Sequence, residues 1–364
     1  MRIGTSALVA RLPPKEYPAW AAHGLREFVR EEGAVIFAEA QAVLSETKWM
    51  GSRFPAYPHD GIDLHHLRAA RRALLETGDL IEDTVTFRSG RSVAALIDGR
   101  ALASRGRKTQ VRETAAHKRR IYHRYLGWSG RSELCGKVAE HVVVASMQNA
   151  AGLIVDDARA GEVREIEGQP ITEGGPLDAA GFVVPNLARP RSTPLVPIAV
   201  EVKNIRQIVY PSSAETWDLL AKLHDFPDVV PVLVTRRPHP TLYKLFGDVG
   251  AVVVWAARQW FSDKIDADAF VETMGALNFR DAAREPSPAR ASATVTAFFG
   301  PKLRSTRPDS SEPLVLRQQR RWTEACQVVA VFRDLRDVGE EDRAARFDEF
   351  RDAMRNAGLY GGGW

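Results

Sequence analysis

Cysteine is nearly absent: Cys135 and Cys326 are the only two in 364 residues and stand far apart. Two isolated thiols build neither a disulfide framework nor a zinc site. The nine histidines show no ligand spacing with them. His65 and His66 are adjacent, and neighbours on a helix do not face each other, which favours a structural role. Long apolar runs are missing too, so no transmembrane helix and no membrane partner are expected. The first residues, MRIGTSALVARLPPKEYPAW, lack a continuous apolar segment ending in a small-residue cleavage site. No signal peptide is read there, and the cytoplasm is the expected compartment. No GxGxxG or GxxxxGKS/T follows a strand-like run, which sets aside Rossmann-type and phosphate-loop enzymes. Neither sign of charge dominates: 50 Lys and Arg against 46 Asp and Glu give a net charge of +4. What matters for an anionic partner is how unevenly those charges are spread.

The chemistry is concentrated in Leu195 to Pro211, LVPIAVEVKNIRQIVYP. Val196, Ile198, Val200 and Val202 make a β-branched apolar run, and within it stand Glu201 and Lys203. Side chains at i and i+2 leave the same face of a strand, so the carboxylate and the amine project side by side while Val200 and Val202 face the other way. Charges on a buried strand are costly unless something compensates them. A divalent metal on the carboxylate and a water or phosphate near the ammonium would do so; so would a Glu–Lys pair on an exposed face. Upstream, Gly174-Gly175-Pro176 makes a turn, Leu177 to Val184 reads as a strand carrying Asp178, and the Pro-rich Pro185 to Pro194 returns the chain as a hairpin would.

Asp178 followed by Glu201-Val202-Lys203 resembles the PD-(D/E)xK nuclease superfamily, the restriction-endonuclease-like fold. The order of elements supports the resemblance. Ser132 to Ala151 is helical, with Leu134, Val138, Val142 and Ala145 at three-to-four spacing, and Gly161 to Ile171 is the expected first strand. The Asp178 and Glu201 strands follow, then a helix from Ser212-Ser213-Ala214-Glu215 with a capping box, then the strands Val229 to Thr235 and Gly250 to Trp255. The resemblance implies that Asp178 and Glu201 hold Mg²⁺, with Mn²⁺ able to substitute, and that Lys203 orients the attacking water or steadies developing charge. It implies a role at the metal for Glu140 on the first core helix, whose other reading is an ordinary solvated residue. The implied reaction is phosphodiester hydrolysis leaving a 5′-phosphate and a 3′-hydroxyl. Gln207, Tyr210 and Lys222 are second-rank candidates. Thr235-Arg236-Arg237 reads either as a phosphate contact or as an end to the sheet, and Trp255 and Trp260 read as core.

Ahead of the core, Glu16 to Glu32 is an amphipathic helix with Trp20, Leu25, Phe28 and Val29 on its apolar side, and Ala34 to Leu44 is a second. After a loop from Trp49 to Gly61, Asp63 caps a third helix ended by Gly78, and Leu80 to Phe87 and Ser92 to Ile97 make a hairpin. Three helices and a two-stranded wing resemble a winged helix-turn-helix. In that arrangement Arg68, Arg71 and Arg72 of the third helix and Arg88 and Arg91 of the wing contact DNA; the other reading is a protein-interaction module. Arg100 to Arg131 is the most basic stretch, containing Arg119 and Arg120 with Tyr122, Tyr125 and Trp128. It is read as a linker lining a path for nucleic acid. Past it, Asp263 to Leu277 is helical, Asp281 to Pro313 is a linker broken by a strand-like Ala293 to Phe299, and Leu314 to Leu335 and Glu340 to Asn356 are charged helices.

The expected architecture is therefore α/β: a winged-helix domain (1–99), a basic linker (100–131), a restriction-endonuclease-like αβββαβ core with a mixed sheet flanked by helices (132–262), and a linker with a mainly helical C-terminal region (263–364). The expected function is a metal-dependent DNA endonuclease of restriction, anti-phage defence or DNA repair, with DNA as partner and a homodimer or defence-system proteins as companions. The rival is a non-catalytic DNA-binding regulator or protein-interaction subunit on a nuclease-like fold.

Overall fold

The computed structural model describes residues 17–45, 61–155, 162–188, 190, 193–306 and 310–361. Glu16, residues 49–60 of the expected loop, Gly161 and the tail 362–364 lie outside the described residues. The chain forms two compact units, Met1–Gly130 with Asp266–Arg280 and Arg131–Ile265 with Asp281–Trp364. Among the described residues no helix is long and apolar enough to cross a membrane.

In the first unit, α1 (Tyr17–Glu32) buries Trp20, Leu25, Phe28 and Val29, as its spacing predicts. The expected second helix starts later than Ala34: Ala34–Val35 is a short strand, β1, and α2 runs Phe37–Leu44. Helix α3 (Leu64–Glu76) begins where Asp63 accepts the His65 N–H at 3.1 Å. Asp63→Ala removes that cap and is expected to cost the unit about 1 kcal/mol in denaturant unfolding. Strands β2 (Leu80–Thr86) and β3 (Ser92–Asp98) form the expected antiparallel hairpin, and β1 joins β3 on its other side, giving the order β1-β3-β2.

The basic stretch is not a linker. After a short turn, α4 (Gly99–Ala103), it forms a 22-residue helix, α5 (Lys108–Ser129), which buries Val111, Ala115, Ile121 and Tyr125. Lys118 is buried there with its ammonium on the Glu39 carboxylate, and it donates to the Ala276 carbonyl at 2.8 Å. Asn278 donates to the same Glu39 at 2.9 Å. These long-range bonds make residues 266–280 part of this unit rather than of a C-terminal region. The three-to-four spacing of the apolar residues was masked by the Arg and Lys between them.

The second unit is built on a five-stranded mixed sheet whose strands, edge to edge, are Val252–Trp255, Val230–Thr235, Val196–Lys203, Ala179–Val183 and Leu153–Val155. Helix α6 (Gly136–Gln148) leads into β4 (Leu153–Val155), a small hairpin follows as β5 (Glu165–Ile166) and β6 (Gln169–Pro170), and β7 (Ala179–Val183) pairs antiparallel with both β4 and β8 (Val196–Lys203). The first strand of the sheet is thus β4 and not the expected Gly161 to Ile171 segment, which makes only the small hairpin. Helix α7 (Ala214–Leu223) crosses to β9 (Val230–Thr235), parallel to β8, and α8 (Pro240–Val249) crosses to β10 (Val252–Trp255), parallel to β9. Ser213 precedes α7 without the expected capping box; its hydroxyl accepts the Tyr210 N–H at 2.8 Å instead.

Beyond β11 (Gln259–Ser262) the chain supplies α9 (Ala267–Ala276) to the first unit and returns as β12 (Ala282–Glu285), parallel to β11. The expected strand at Ala293 to Phe299 is helical, with α10 (Ala293–Ala297) running into a wider turn. Two helices close the unit, α11 (Leu314–Val331) and α12 (Glu340–Asn356). Both faces of the sheet are covered, which is why its parallel strands are near-continuous apolar runs. One core holds Val142, Val143 and Met147 of α6 against Ile198, Val200 and Val232. The other packs Trp217, Leu220, Phe246, Trp322 and Phe350 against Ala199 and Leu233. The expected C-terminal region therefore completes the second core instead of standing apart.

Candidate functional site

Strand β8 sorts its side chains as its alternation predicts. Val200 and Val202 pack into the core under α6, while Ala199, Glu201 and Lys203 turn to the face that α7 covers. Asp178 lies one residue ahead of β7. Its N–H donates to the Val200 carbonyl at 3.0 Å and its Oδ2 accepts the Val202 N–H at 2.6 Å. With Ala179 opposite Val200 in the register, Asp178 stands across the strand pair from Glu201. The two carboxylates and the amine expected from the sequence are brought together.

Two residues of α7 complete the arrangement. Glu201, only 4% exposed, takes Lys203 Nζ at 2.7 Å on one oxygen and Lys222 Nζ at 3.0 Å on the other. Lys203 Nζ also lies 2.9 Å from Asp218 Oδ2, and Lys222 Nζ lies 3.3 Å from that same oxygen. Glu201, Lys203, Asp218 and Lys222 thus close a four-membered ring of alternating charge. Lys222, a second-rank candidate on sequence, belongs to the site. Asp218 was not singled out, although its i, i+4 spacing to Lys222 on one helix was a readable signal.

Electrostatics mark the same place. Burial pushes the Asp178 carboxyl up to about 8, reinforced by the neighbouring Glu201 and Glu140 carboxylates and opposed by the Val202 N–H and Lys203. Burial also raises Glu140, with Lys137 opposing and Glu201 adding to the rise. Lys203 is held above the usual amine range, because the Glu201 and Asp218 carboxylates outweigh the burial that works against its charge. Asp218 is half-buried, which works against its charge, yet its carboxyl falls below the ordinary range under the pull of Lys203 and Lys222. Burial drives the Cys135 thiol up to about 12, which removes it as a nucleophile.

Other expected residues fall differently. Glu140 is half-buried on α6, which packs on the opposite face of the sheet from Glu201 and Lys203. Its carboxyl lies near enough to interact electrostatically with Asp178, Glu201 and Lys203; among the described residues no three His, Cys, Asp or Glu side chains are arranged to hold a metal ion. Strand β8 ends at Lys203, so Gln207 and Tyr210 lie beyond it, Gln207 exposed and Tyr210 half-buried with its ring 4.6 Å from that of His239. Asn204 ties this end of the strand down, donating to the Cys135 and Trp260 carbonyls at 2.9 and 2.7 Å. Arg236 is buried, pairs with Asp281 and donates to the Arg206 carbonyl at 2.7 Å, a structural role. Trp260 is core as expected, whereas Trp255 is 45% exposed.

In the first unit Arg119 leaves the nucleic-acid set. It lies on the inward side of α5, 7% exposed, with its guanidinium on the carboxylate and carbonyl of Asp83. Arg71 pairs with Glu82, and Arg91, though exposed, donates to the Leu126 carbonyl at 2.7 Å. Arg68, Arg72, Arg88 and Arg120 are exposed.

Comparison of the chain with protein-family models, with curated proteins and with solved structures returned no match.

Proposed function

We propose that this chain is a divalent-metal-dependent deoxyribonuclease on a restriction-endonuclease-like core, with an N-terminal winged-helix domain that binds duplex DNA, serving restriction, anti-phage defence or DNA repair. The observation that carries this reading is the pairing of Asp178 and Glu201 across β7 and β8 with Lys203 on the same face. The helix–strand–strand–strand–helix–strand succession of α6, β4, β7, β8, α7 and β9 supports it. For the first unit, support comes from the helix order, the hairpin and the β1-β3-β2 sheet.

The donor set suits Mg²⁺ or Mn²⁺. Asp178 and Glu201 offer hard oxygens, and the Asp178 carboxyl, raised first by burial and then by the Glu201 and Glu140 carboxylates, is one whose ionised form a cation would stabilise. Mg²⁺ keeps several waters and takes one or two carboxylates with substrate phosphate oxygens, so two protein ligands suffice. When bound, the metal supplies charge neutralisation at the phosphate and a more acidic bound water. The protein's own groups do the rest: Asp178 and Glu201 fix the reacting phosphate's position, Glu140 adds negative potential from α6, and Lys203 presents an ammonium to the water or to the charge that develops in in-line attack. Incubating supercoiled plasmid with the protein in Mg²⁺, in Mn²⁺ and in EDTA tests the reading: nicked and linear forms are expected with either metal and not with EDTA.

For DNA binding, Arg72, Arg88 and Arg120 are exposed. Replacing all three with Ala is expected to weaken duplex binding for every sequence alike and to make the slope of log affinity against log salt shallower by roughly 2 to 3. Fluorescence anisotropy over a salt series measures it, and an unchanged slope removes these arginines from the interface.

One observation favours a second reading, a non-catalytic DNA-binding regulator or a protein-interaction subunit: both oxygens of Glu201 already carry ammonium partners within the protein. Such a protein binds DNA or its partner and cuts nothing.

A further inference from the structure

Lys222 is a buried lysine, its side chain 4% exposed, and its ammonium meets the Glu201 carboxylate at 3.0 Å, the Asp218 carboxylate at 3.3 Å and the Pro176 carbonyl at 3.4 Å. The last contact reaches the turn that delivers Asp178. That turn is fitted to the lysine: Gly174 has φ +73°, and a Cβ built there would stand 2.9 Å from Lys222 Cε. One side chain on α7 therefore touches both segments that carry the site's carboxylates. Asp218, one helical turn earlier, joins Lys222 to Lys203 through a single oxygen.

A buried and a half-buried ammonium and two carboxylates are expensive to desolvate singly and nearly neutral as a closed set. A ring placed only for stability needs no contact with a strand that carries Glu-x-Lys. This one takes Glu201 and Lys203 as half of its members, and Lys203 is its most accessible lysine, 22% exposed against 4% for Lys222.

We infer that Asp218 and Lys222 are positioning residues of the nuclease site, a charge clamp that keeps Glu201 fixed from its α7 side and sets the orientation of Lys203 when a divalent cation draws on Glu201. The inference rests on the proposed nuclease reading and extends it to two residues on α7. It has a signed consequence. Lys222→Met removes a positive charge beside Glu201, and Mn²⁺ binds roughly tenfold tighter; Asp218→Asn leaves two ammoniums on one carboxylate, and Mn²⁺ binds roughly tenfold weaker. Both variants cut more slowly at saturating metal, because Glu201 and Lys203 lose their register. Simple loosening of the fold would weaken Mn²⁺ binding in both.

The test is calorimetric titration of the full-length protein with Mn²⁺ for wild type, Asp218→Asn, Lys222→Met and the double variant, alongside their melting temperatures without metal. Each single change unbalances the ring and is expected to lower the melting temperature by about 5 °C or more, while the double change restores neutrality and loses clearly less than the sum. Opposite shifts in Mn²⁺ affinity with non-additive melting support the clamp. Shifts in the same direction, or strictly additive melting, overturn it and leave the nuclease reading standing as long as wild type cuts DNA. A wild type that neither binds Mn²⁺ nor cuts overturns the nuclease reading and, with it, the clamp's role at the metal; the melting cycle still reports on the ring itself.

Discussion

Asp178→Ala is expected to reduce Mg²⁺-dependent cleavage of a duplex roughly a thousandfold or more in single-turnover assays, and Lys203→Ala roughly a hundredfold or more. The reasons differ. Asp178 is one of two carboxylates facing each other across β7 and β8, so its loss takes away half of the oxygen ligands of the proposed metal. Lys203 brings no metal ligand; it brings a fixed ammonium, held by Glu201 and Asp218 at 2.7 and 2.9 Å. Its loss should therefore depress the rate at saturating metal while lowering the metal concentration needed for half-maximal rate, since a positive charge 2.7 Å from Glu201 is gone. Asp178→Ala should depress the rate and raise that concentration. Neither change touches the two apolar cores on which the sheet is packed, so circular dichroism should show both variants folded. Equal loss of metal affinity in the two variants would contradict the division of labour.

The second large effect is on stability, and it runs opposite to activity. In the folded protein the Asp178 carboxyl keeps its proton to about 8, through burial and the Glu201 and Glu140 carboxylates. In the unfolded chain an Asp releases it near 4. A group raised in this way stabilises fully below its unfolded value, and that contribution drains as pH rises through the folded one. Asp178→Asn stays neutral throughout. The variant is expected to match wild type in melting temperature below about pH 4, to pull ahead as pH rises, and to hold a gain of roughly 10 °C from about pH 8 upward. Saturating Mg²⁺ should narrow the gap, since a cation that binds only the folded wild type restores stability by mass action. Parallel melting curves for the two proteins across that pH range would show that the Asp178 carboxyl is not raised.

The Asp178, Glu201 and Lys203 cluster was legible because strand alternation is a local rule. The apolar run around Glu201 and Lys203 sorted those two side chains to one face, and the Gly174-Gly175-Pro176 turn marked where the partner strand begins. Asp63 marked the start of α3 for a similar reason, since a cap is read over three residues. Elsewhere local signals misled. Thr294, Val295 and Thr296 favour a strand by propensity, yet the segment is helical, with Val295 and Phe299 on its buried side. The first strand of the main sheet is only three residues long, Leu153–Val155, too short for any periodicity. Long-range pairing was out of reach altogether. Nothing near Lys118 announces Ala276 as its acceptor, so the return of residues 266–280 to the first unit had no local signature. The same holds for the site: Asp218 becomes part of it only when α7 folds back over β8 and brings its carboxylate to Lys203.

The most direct test of the central claim is plasmid cleavage by wild type and Asp178→Ala, purified identically and run side by side with Mg²⁺ and with EDTA. Wild type should give nicked and linear products in Mg²⁺ alone, and the variant none. Cutting that persists in Asp178→Ala, or a wild type that binds the plasmid and leaves it intact under both conditions, would contradict it.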